Sequence, residues 1–200
     1  HVMSITLSYG AFALALGIAN ITLGYFLTGS KNKTAISALN DFTYRTLQVG
    51  VLLLAAGTIL GGVWADYAWG RFWGWDPKGA WALIALLGYL ALLHSRYAGW
   101  VGQFGLAAWS VFCFSLVVVA WYGVNFVLGV GLHSYGFGNR TGQDFVGAVL
   151  LLQFAYVGAA GLRYGQTERN TTGGHMASAV SNETTSDDPV RIRGEKPVSV

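Results

Sequence analysis

The residues best suited to chemistry lie within positions 64–81, where the sequence reads WADYAWGRFWGWDPKGAW. Five of the chain's eight tryptophans fall in this stretch of 18 residues. Tryptophans collect at the boundary between membrane and water because the ring is apolar while its N–H needs a polar partner, and such anchoring is their ordinary explanation near helix ends. Five in one connection exceed what anchoring needs. They favour a flat, apolar, partly exposed surface that binds a planar hydrophobic ligand.

Charged side chains lie among these tryptophans and have two possible roles, contact with a ligand and helix capping. Arg71, Asp76 and Lys78 could meet charged groups at the edge of such a ligand. Asp76 is also a good N-cap, and Pro77 suits the first position of a helix because its missing N–H would be unpaired there anyway. The sequence therefore predicts that a helix begins at Pro77.

The composition around this stretch is that of an integral membrane protein. The chain is 54% hydrophobic and only 10% charged, too apolar for a soluble globule and too uncharged for a disordered chain. A helix needs roughly 20 apolar residues to cross a hydrocarbon core. Five uncharged runs reach or approach that length: 2–27, 46–65, 79–95, about 98–124 and 145–162. They predict an all-α membrane bundle of about five transmembrane helices with an external tryptophan-rich loop.

The segments between and after these runs differ in composition. Residues 28–41, TGSKNKTAISALND, are polar and predict a short inner loop. Residues 125–144 are rich in glycine and aromatics and are expected outside the membrane, with their apolar first half on its surface or against the tryptophan loop. The membrane domain is predicted at 1–165, and 166–200 as a disordered inner-side tail, because this segment has almost no large apolar residues. The chain opens at His1 without an initiator methionine or leader, which suggests a fragment of a longer protein.

The positive charges predict an orientation. If the first helix runs inward, six Lys and Arg residues lie inside and three outside, which agrees with the positive-inside rule. The inner set is Lys31, Lys33, Arg45, Arg96, Arg163 and Arg169, and the outer set is Arg71, Lys78 and Arg140. The tryptophan loop is then on the periplasmic, luminal or extracellular side. The cations form no basic stripe, so nucleic acid is not expected as a partner.

Histidines and the single cysteine limit the remaining chemistry. His1 and His133 fall on the same predicted side as the tryptophan loop, where an interfacial role is the commonest explanation for a histidine. His94 lies about 17 residues past Pro77, or roughly 25 Å along a helix, near the inner face. It is either an interfacial residue beside Arg96 or a functional group facing the bundle interior. Cys113 stands alone, which excludes an internal disulfide, a thiolate zinc cluster and a CxxC pair.

The run WGRFWGWDPKGAWAL, 69–83, resembles the WWD signature of haem-handling membrane proteins, in particular the CcsA (ResC) branch of System II cytochrome c biogenesis. Further similar segments follow in the same order along the chain. They are Tyr44-Arg45 before a glycine-rich helix, GVWA at 62–65, LHSR at 93–96 and GLHSYG at 131–136. The resemblance extends over about 1–163.

This resemblance implies a site and an activity. Haem b is the implied cofactor, with His1 and His133 as axial iron ligands, His94 in a second haem site within the membrane, and an external platform that includes Trp69, Trp73, Trp75 and Asp76. The implied role is to present haem for thioether attachment to the CxxCH thiols of apocytochrome c, as the haem-handling part of a cytochrome c synthase (haem lyase). No catalytic side chain is implied, because the reacting thiols belong to the substrate.

The implied setting is a bacterial inner membrane or a thylakoid, with the WWD loop on the periplasmic or luminal side, a CcsB/ResB-like membrane partner, and surrounding lipids. Two other functions stay open: a haem exporter or chaperone without attachment activity, and an assembly subunit with a degenerate haem site. The chain also departs from the family pattern. Gly79-Ala80 stands where the family usually has Glu-Thr, and a glutamate there would complete a capping box with Asp76. The family's second membrane histidine comes either from a preceding segment or from a partner, or this version works without it.

Overall fold

The computed structural model describes residues 1–30, 32–128 and 142–185, and the regular secondary structure in these ranges is helical. The helices are α1 (Val2–Thr28), α2 (Lys33–Trp69), α3 (Pro77–Tyr97), α4 (Gln103–Val118) and α5 (Gln143–Thr185). α4 is followed directly by a π-helical segment, Val119–Leu128. Among the described residues, five helices are long and apolar enough to cross a membrane. The predicted all-α fold with about five membrane helices is confirmed.

The connection between α1 and α2 is much shorter than the polar composition predicts. Gly29 ends α1 in the left-handed conformation at φ 69°, and Asn32 caps α2 by accepting a hydrogen bond from the Ala35 N–H at 3.1 Å. The predicted loop over 28–41 is therefore wrong for residues 33–41. Asn40 lies in this segment, yet its side chain is buried and its amide donates to the Ile36 carbonyl at 3.0 Å. A polar side chain that bonds to its own helix can be buried without ending that helix.

The connection between α2 and α3 is also short and contains only residues 70–76. Gly70 ends α2 at φ 69°, and its N–H donates to the Asp66 carbonyl at 2.9 Å. Asp76 caps α3, since its carboxylate accepts from the Lys78 N–H at 3.2 Å, and Pro77 is the first helical residue. The predicted start of this helix is confirmed. The tryptophan-rich stretch 64–81 is thus a tight loop with helix ends on both sides, and only two of its tryptophans lie in the loop itself.

The last helix continues beyond its predicted end at 162. Helical backbone runs to Thr185, and the disorder expected for 166–200 stays a prediction. Extending a helix adds one hydrogen bond for each residue that is fixed and avoids a new nucleus, which allows a polar sequence to follow an apolar one. Residues His1–Tyr164 form one compact unit of the chain. The domain boundary at 165 stays a prediction.

Three helices meet in one aromatic stack at the centre of the bundle. Phe12 of α1 is fully buried, and its ring lies 3.8 Å from the ring of Tyr89 on α3, with only 3° between the planes. A Cβ atom added to Gly50 of α2 would lie 2.5 Å from Phe12 Cε1. Small residues let membrane helices approach closely. Gly50 therefore makes room for the stack that joins α1, α2 and α3.

α5 contacts the bundle through a few long side chains. Tyr156 donates its hydroxyl to the Asn20 carbonyl at 3.0 Å, and the Gln153 amide donates to Asn20 Oδ1 at 3.0 Å. Further along the helix, the ring of Tyr164 stacks on that of Phe104 at 5.0 Å. Besides these polar and aromatic contacts, the fully buried Ala160 of α5 packs with Ala19 of α1 and Ala107 of α4.

The close contact between Gly50 and Phe12 predicts that a larger residue at position 50 lowers the stability of the fold. Gly50→Ala should lower the free energy of unfolding by about 1 to 3 kcal/mol, the usual cost of overpacking a close-packed core. Thermal unfolding in detergent, followed by circular dichroism, measures this loss. Gly17→Ala is the matched control, because a Cβ atom at Gly17 meets nothing within 4 Å. Equal melting temperatures for the two variants would contradict the predicted close contact.

Candidate functional site

A cavity of about 990 Å³ opens among the described residues at the end of the bundle that carries loop 70–76, here called the loop end. Its walls come from the first half of α1, the last turns of α2, loop 70–76, the start of α3, and the end of α4 with the π-helical segment. The volume lies at the upper end of the roughly 300 to 1,000 Å³ that small-molecule sites occupy. Most of its walls are apolar or aromatic side chains.

The cavity brings together most of the side chains that the sequence singles out. Five of the predicted site residues line it: His1, Trp69, Trp73, Trp75 and Asp76. Their positions in the sequence are as much as 75 residues apart, from 1 to 76, and the fold places them around one space. His94 is not among the lining residues. His133 lies outside the described residues.

His1 is held at the cavity by the close approach of α1 to α2. Its carbonyl accepts a hydrogen bond from the Ile5 N–H at 3.0 Å, which fixes the backbone at the start of α1. A Cβ atom on Gly61 would lie 3.6 Å from His1 Cδ2, so the imidazole rests over a residue without a side chain. The imidazole and the ring of Trp64 lie 5.5 Å apart. An imidazole is thus placed beside the aromatic wall of the cavity.

The tryptophans are arranged in two edge-to-face pairs. The rings of Trp64 and Trp69 lie 5.1 Å apart at 80°, and those of Trp73 and Trp75 lie 6.0 Å apart at 89°. Aromatic rings prefer this arrangement because the positive edge of one ring meets the negative face of the other. The sequence predicts a flat surface, whereas these rings form two perpendicular corners of a cavity.

Trp75 has an unusual backbone conformation. Its φ is +53°, and it is the one residue other than glycine with a positive φ among the described ranges. The left-handed region is sterically costly for a bulky side chain, by roughly 1 to 2 kcal/mol. Such strain persists where the surrounding structure imposes it, often near binding sites. Here it occurs between Trp73 and the cap at Asp76, where the loop turns into α3, and it leaves the Trp75 side chain 75% exposed.

Phe72 anchors the loop to α2 and is a residue that sequence reasoning missed. A Cβ atom on Gly62 would lie 2.6 Å from Phe72 Cζ, so the phenyl ring rests directly on that glycine. The available signal was the Gly61-Gly62 pair close to an aromatic loop, a pattern typical of a ring packed on bare backbone. α4 was missed as well, although Phe114, Val117 and Trp121 line the cavity.

Two cations and one carboxylate line the cavity. The Lys78 ammonium donates to Asn125 Oδ1 at 3.4 Å, and the Asn125 amide donates to the Trp121 carbonyl at 2.7 Å. The Arg71 guanidinium lies over the loop backbone, since a Cβ atom on Gly74 would be 3.2 Å from Arg71 Nε. Asn125 is 47 residues from Lys78, and no local pattern in the sequence indicates this contact.

His94 lies apart from the cavity, in the last turn of α3. Its Nδ1 is 2.7 Å from the Leu90 carbonyl oxygen, which fits an Nδ1–H that donates to the preceding turn. The side chain is exposed and does not face the interior of the described helices, which was one of the two alternatives for this residue. Its position beside Arg96 agrees with the interfacial alternative. A role in a second haem site stays a prediction.

Comparisons of the sequence with known proteins identify a family and several relatives. Residues 1–133 match the family described as "Cytochrome C assembly protein". The chain is similar to the "Cytochrome c biogenesis protein CcsA" of Prochlorococcus marinus (strain MIT 9303), with 48% identity over 54% of this chain and 33% of that protein. The protein of the same description from Synechococcus sp. (strain CC9311) is 45% identical over 64% of this chain and 42% of its own length. A third, from Synechococcus sp. (strain RCC307), is 51% identical over 49% and 31%.

These matches cover less than half of each relative. The chain therefore spans between 31% and 42% of the length of the three proteins. The matched residues, 1–133, include α1 to α4 and every described residue that lines the cavity.

The cap at Asp76 predicts the effect of changing Gly79. Gly79→Glu should let the new carboxylate accept from the Asp76 backbone N–H and should remove a flexible residue from the first turn of α3, raising stability by about 1 to 2 kcal/mol. A Cβ atom at Gly79 would make ordinary contact with Trp73 Cη2 at 3.6 Å. Gly79→Ala is the control that supplies the helix propensity without the cap. Melting temperatures in detergent should rise in the order wild type, Ala, Glu, and a glutamate variant less stable than the alanine one would contradict the cap.

Proposed function

The chain belongs to the cytochrome c assembly protein family, and from this premise we propose that it binds haem in the cavity at the loop end and presents it to an apocytochrome c. In this proposal the chain takes part in cytochrome c biogenesis, as the printed names of its relatives state for them. Haem is the cargo that the chain receives and passes on. The loop end lies on the periplasmic or luminal side, which the distribution of Lys and Arg supports.

The observation that carries the proposal is the meeting of three kinds of group around one space. Haem combines a planar apolar ring, an iron that takes nitrogen ligands, and carboxylates at one edge. The cavity combines aromatic walls, the imidazole of His1, and two cations, Arg71 and Lys78. Its volume of about 990 Å³ suits a ligand of that size. A ligand without a metal or negative charges would offer no partner to the imidazole or to the two cations.

His1 is proposed as one axial ligand of the haem iron. A neutral imidazole is a common iron ligand, and this one lies at the rim beside Trp64 rather than inside the bundle. His133 is proposed as the second ligand on the resemblance alone. Trp69, Trp73 and Trp75 would cover the ring faces, and Asp76 would fix the end of the loop through its cap on α3.

The chain would promote the attachment of haem to the apocytochrome by holding the haem in position. Thioether formation adds each cysteine thiol of a CxxCH motif across a haem vinyl group, and the thiols belong to the apocytochrome. No side chain of this protein is needed as a nucleophile. Holding the haem in one orientation makes the reaction with a docked apocytochrome effectively intramolecular. A CcsB/ResB-like membrane protein is the proposed partner, with lipids around the remaining helix faces.

His94 is proposed to serve a second haem site within the membrane. Its exposed side chain has no second histidine beside it among the described residues of the compact unit 1–164, where the other histidine, His1, lies at the loop end. A further helix, from a longer chain or a partner, would supply the missing ligand. The exposure of His94 supports this arrangement, since a ligand shared with a neighbour has to lie on the outer face of α3.

The first test of the function replaces the proposed iron ligands. Purified wild-type protein should show a Soret band, and His1→Ala or His133→Ala should lower haem occupancy or shift that band. Added imidazole should partly restore the wild-type spectrum, since a free ligand can fill the vacant position. The measurement is absorption spectroscopy of protein purified from cells supplied with haem.

His175→Ala is the matched control, because His175 lies in the predicted tail. It should keep the wild-type spectrum. Wild-type spectra in both ligand variants would refute the axial assignment. A wild-type protein that purifies without haem and does not take it up would refute haem binding altogether.

A second test concerns His94. His94→Ala should reduce the haem that reaches the cavity when haem is limiting, while the Soret position of the haem that does arrive stays unchanged. Occupancy measured across a series of haem supplies separates these two effects. Leu87→Ala, another exposed position on α3, is the control and should keep normal occupancy. Unchanged occupancy in the His94 variant at limiting haem would leave an interfacial role only.

A further inference from the structure

A second space lies beside the loop-end cavity, between α4 and α5. This α4–α5 crevice measures about 200 Å³, and its walls are mostly apolar side chains of α1, of α4 with the π-helical segment, and of α5. The volume is below the roughly 300 to 1,000 Å³ that small-molecule sites occupy. The crevice is therefore too small to be a separate site for a ligand of the size of haem, and its relation to the cavity is the informative feature.

The crevice and the cavity share one wall. Phe114, Val118 and Trp121 line both spaces. These three residues follow one another at helical spacing along α4 and the π-helical segment, so their side chains form a single row. The two spaces are thus in contact along this row.

On α1 the walls of the two spaces also follow one helical face. Thr6, Gly10 and Ala13 line the cavity, and Leu16, three residues further along, lines the crevice. Residues three and four apart lie on the same side of a helix. The first three are small, and a Cβ atom on Gly10 would meet nothing within 4 Å. This face of α1 therefore leaves open space between the cavity and the crevice.

Trp121 has the largest side chain of the shared row. Its backbone is fixed, because its carbonyl accepts a hydrogen bond from the Asn125 amide at 2.7 Å. Its side chain is 57% exposed, and exposed side chains change rotamer on the picosecond to nanosecond timescale. The indole can therefore move while the helix that carries it stays in place.

α5 is hydrogen-bonded to the bundle on either side of the crevice. Toward the loop end, the Gln143 amide donates to the Phe126 carbonyl at 3.0 Å, and further along α5 the Gln153 amide donates to Asn20 Oδ1 at 3.0 Å. Between these two hydrogen bonds, Val149 lines the crevice and is still 43% exposed. The crevice thus borders the cavity on one side and the lipid-facing surface of α5 on the other.

We propose that the α4–α5 crevice is a side entrance through which the ligand of the cavity arrives from the membrane, with Trp121 as the side chain that moves aside. The inference rests on the proposed haem function and goes beyond it, because it assigns a route and a gate. The ring of haem is planar and largely apolar. An apolar passage from lipid to cavity avoids the cost of exposing that ring to water.

The test fills the crevice without changing the cavity. Val149 lines the crevice and is not among the residues that line the cavity. Val149→Trp should slow haem uptake about tenfold, because association slows when a ligand must displace packed side chains. Final occupancy and the Soret position should stay those of the wild type. Trp121→Ala should instead accelerate uptake severalfold. Stopped-flow absorption at the Soret band gives each rate, after apoprotein in lipid nanodiscs is mixed with vesicles that carry haem.

Leu152→Trp is the matched control, because Leu152 lies on the same helix, is 70% exposed and is not among the residues that line the crevice. It should load at the wild-type rate, and equal slowing by both tryptophan variants would overturn the route. Wild-type rates in Val149→Trp and Trp121→Ala would overturn the side entrance while leaving haem binding intact.

Two further outcomes separate this inference from folding and from the proposed function. If Val149→Trp also lowers the final occupancy, Trp121→Ala decides alone, since an entrance blocked by the indole predicts faster loading and an unchanged or slower rate overturns it. A wild-type protein that takes up no haem would overturn the proposed function and the side entrance together.

Discussion

The close approach of α1 to the glycine face of α2 is the contact on which the rest of the structure depends. Gly50 admits the Phe12 ring and Gly57 admits Ile5, each at a distance that a Cβ atom would block, and Gly61 lies in ordinary contact with the His1 imidazole. In a membrane, where lipid is as apolar as the helix surface, such close packing replaces the hydrophobic drive for association. One row of small residues therefore builds the core and brings the first histidine to the cavity.

The short loop between α2 and α3 depends on the same principle at a smaller scale. Phe72 folds onto Gly62, and Gly70 and Trp75 turn the chain at positive φ before Asp76 caps the next helix. Seven residues between two long helices leave few alternative paths. The exposed aromatic rings thus lie on a short connection, and the strained backbone of Trp75 directly precedes the residue that caps α3.

The features that the sequence predicted correctly are those that depend on neighbouring residues in the chain. Uncharged runs long enough to cross a bilayer indicated the helices, and Asp76-Pro77 indicated the start of α3, because caps and proline act within one turn. Sequence reasoning failed where a polar side chain is buried inside a helix. Asn40 bonds to the preceding turn of its own helix and is buried, so its polarity gave no signal that α2 had already begun at Lys33.

The geometry of the site could not be predicted for a different reason. The edge-to-face pairing of the tryptophans and the contact between Lys78 and Asn125 depend on how distant segments pack, and no pattern within one segment encodes them. The candidate residues were accessible to sequence reasoning because their types are unusual for a membrane connection. Their arrangement as corners of a cavity, with α4 as a further wall, could be seen only in the folded structure.

The π-helical segment joins that wall to the charged end of the cavity. π-helical turns are rare and are frequently found at functional sites. Here the segment places Trp121 on the cavity and Asn125 against Lys78, while the Asn125 amide also bonds to the Trp121 carbonyl. One irregular stretch thus sets both an aromatic wall and the position of a cation.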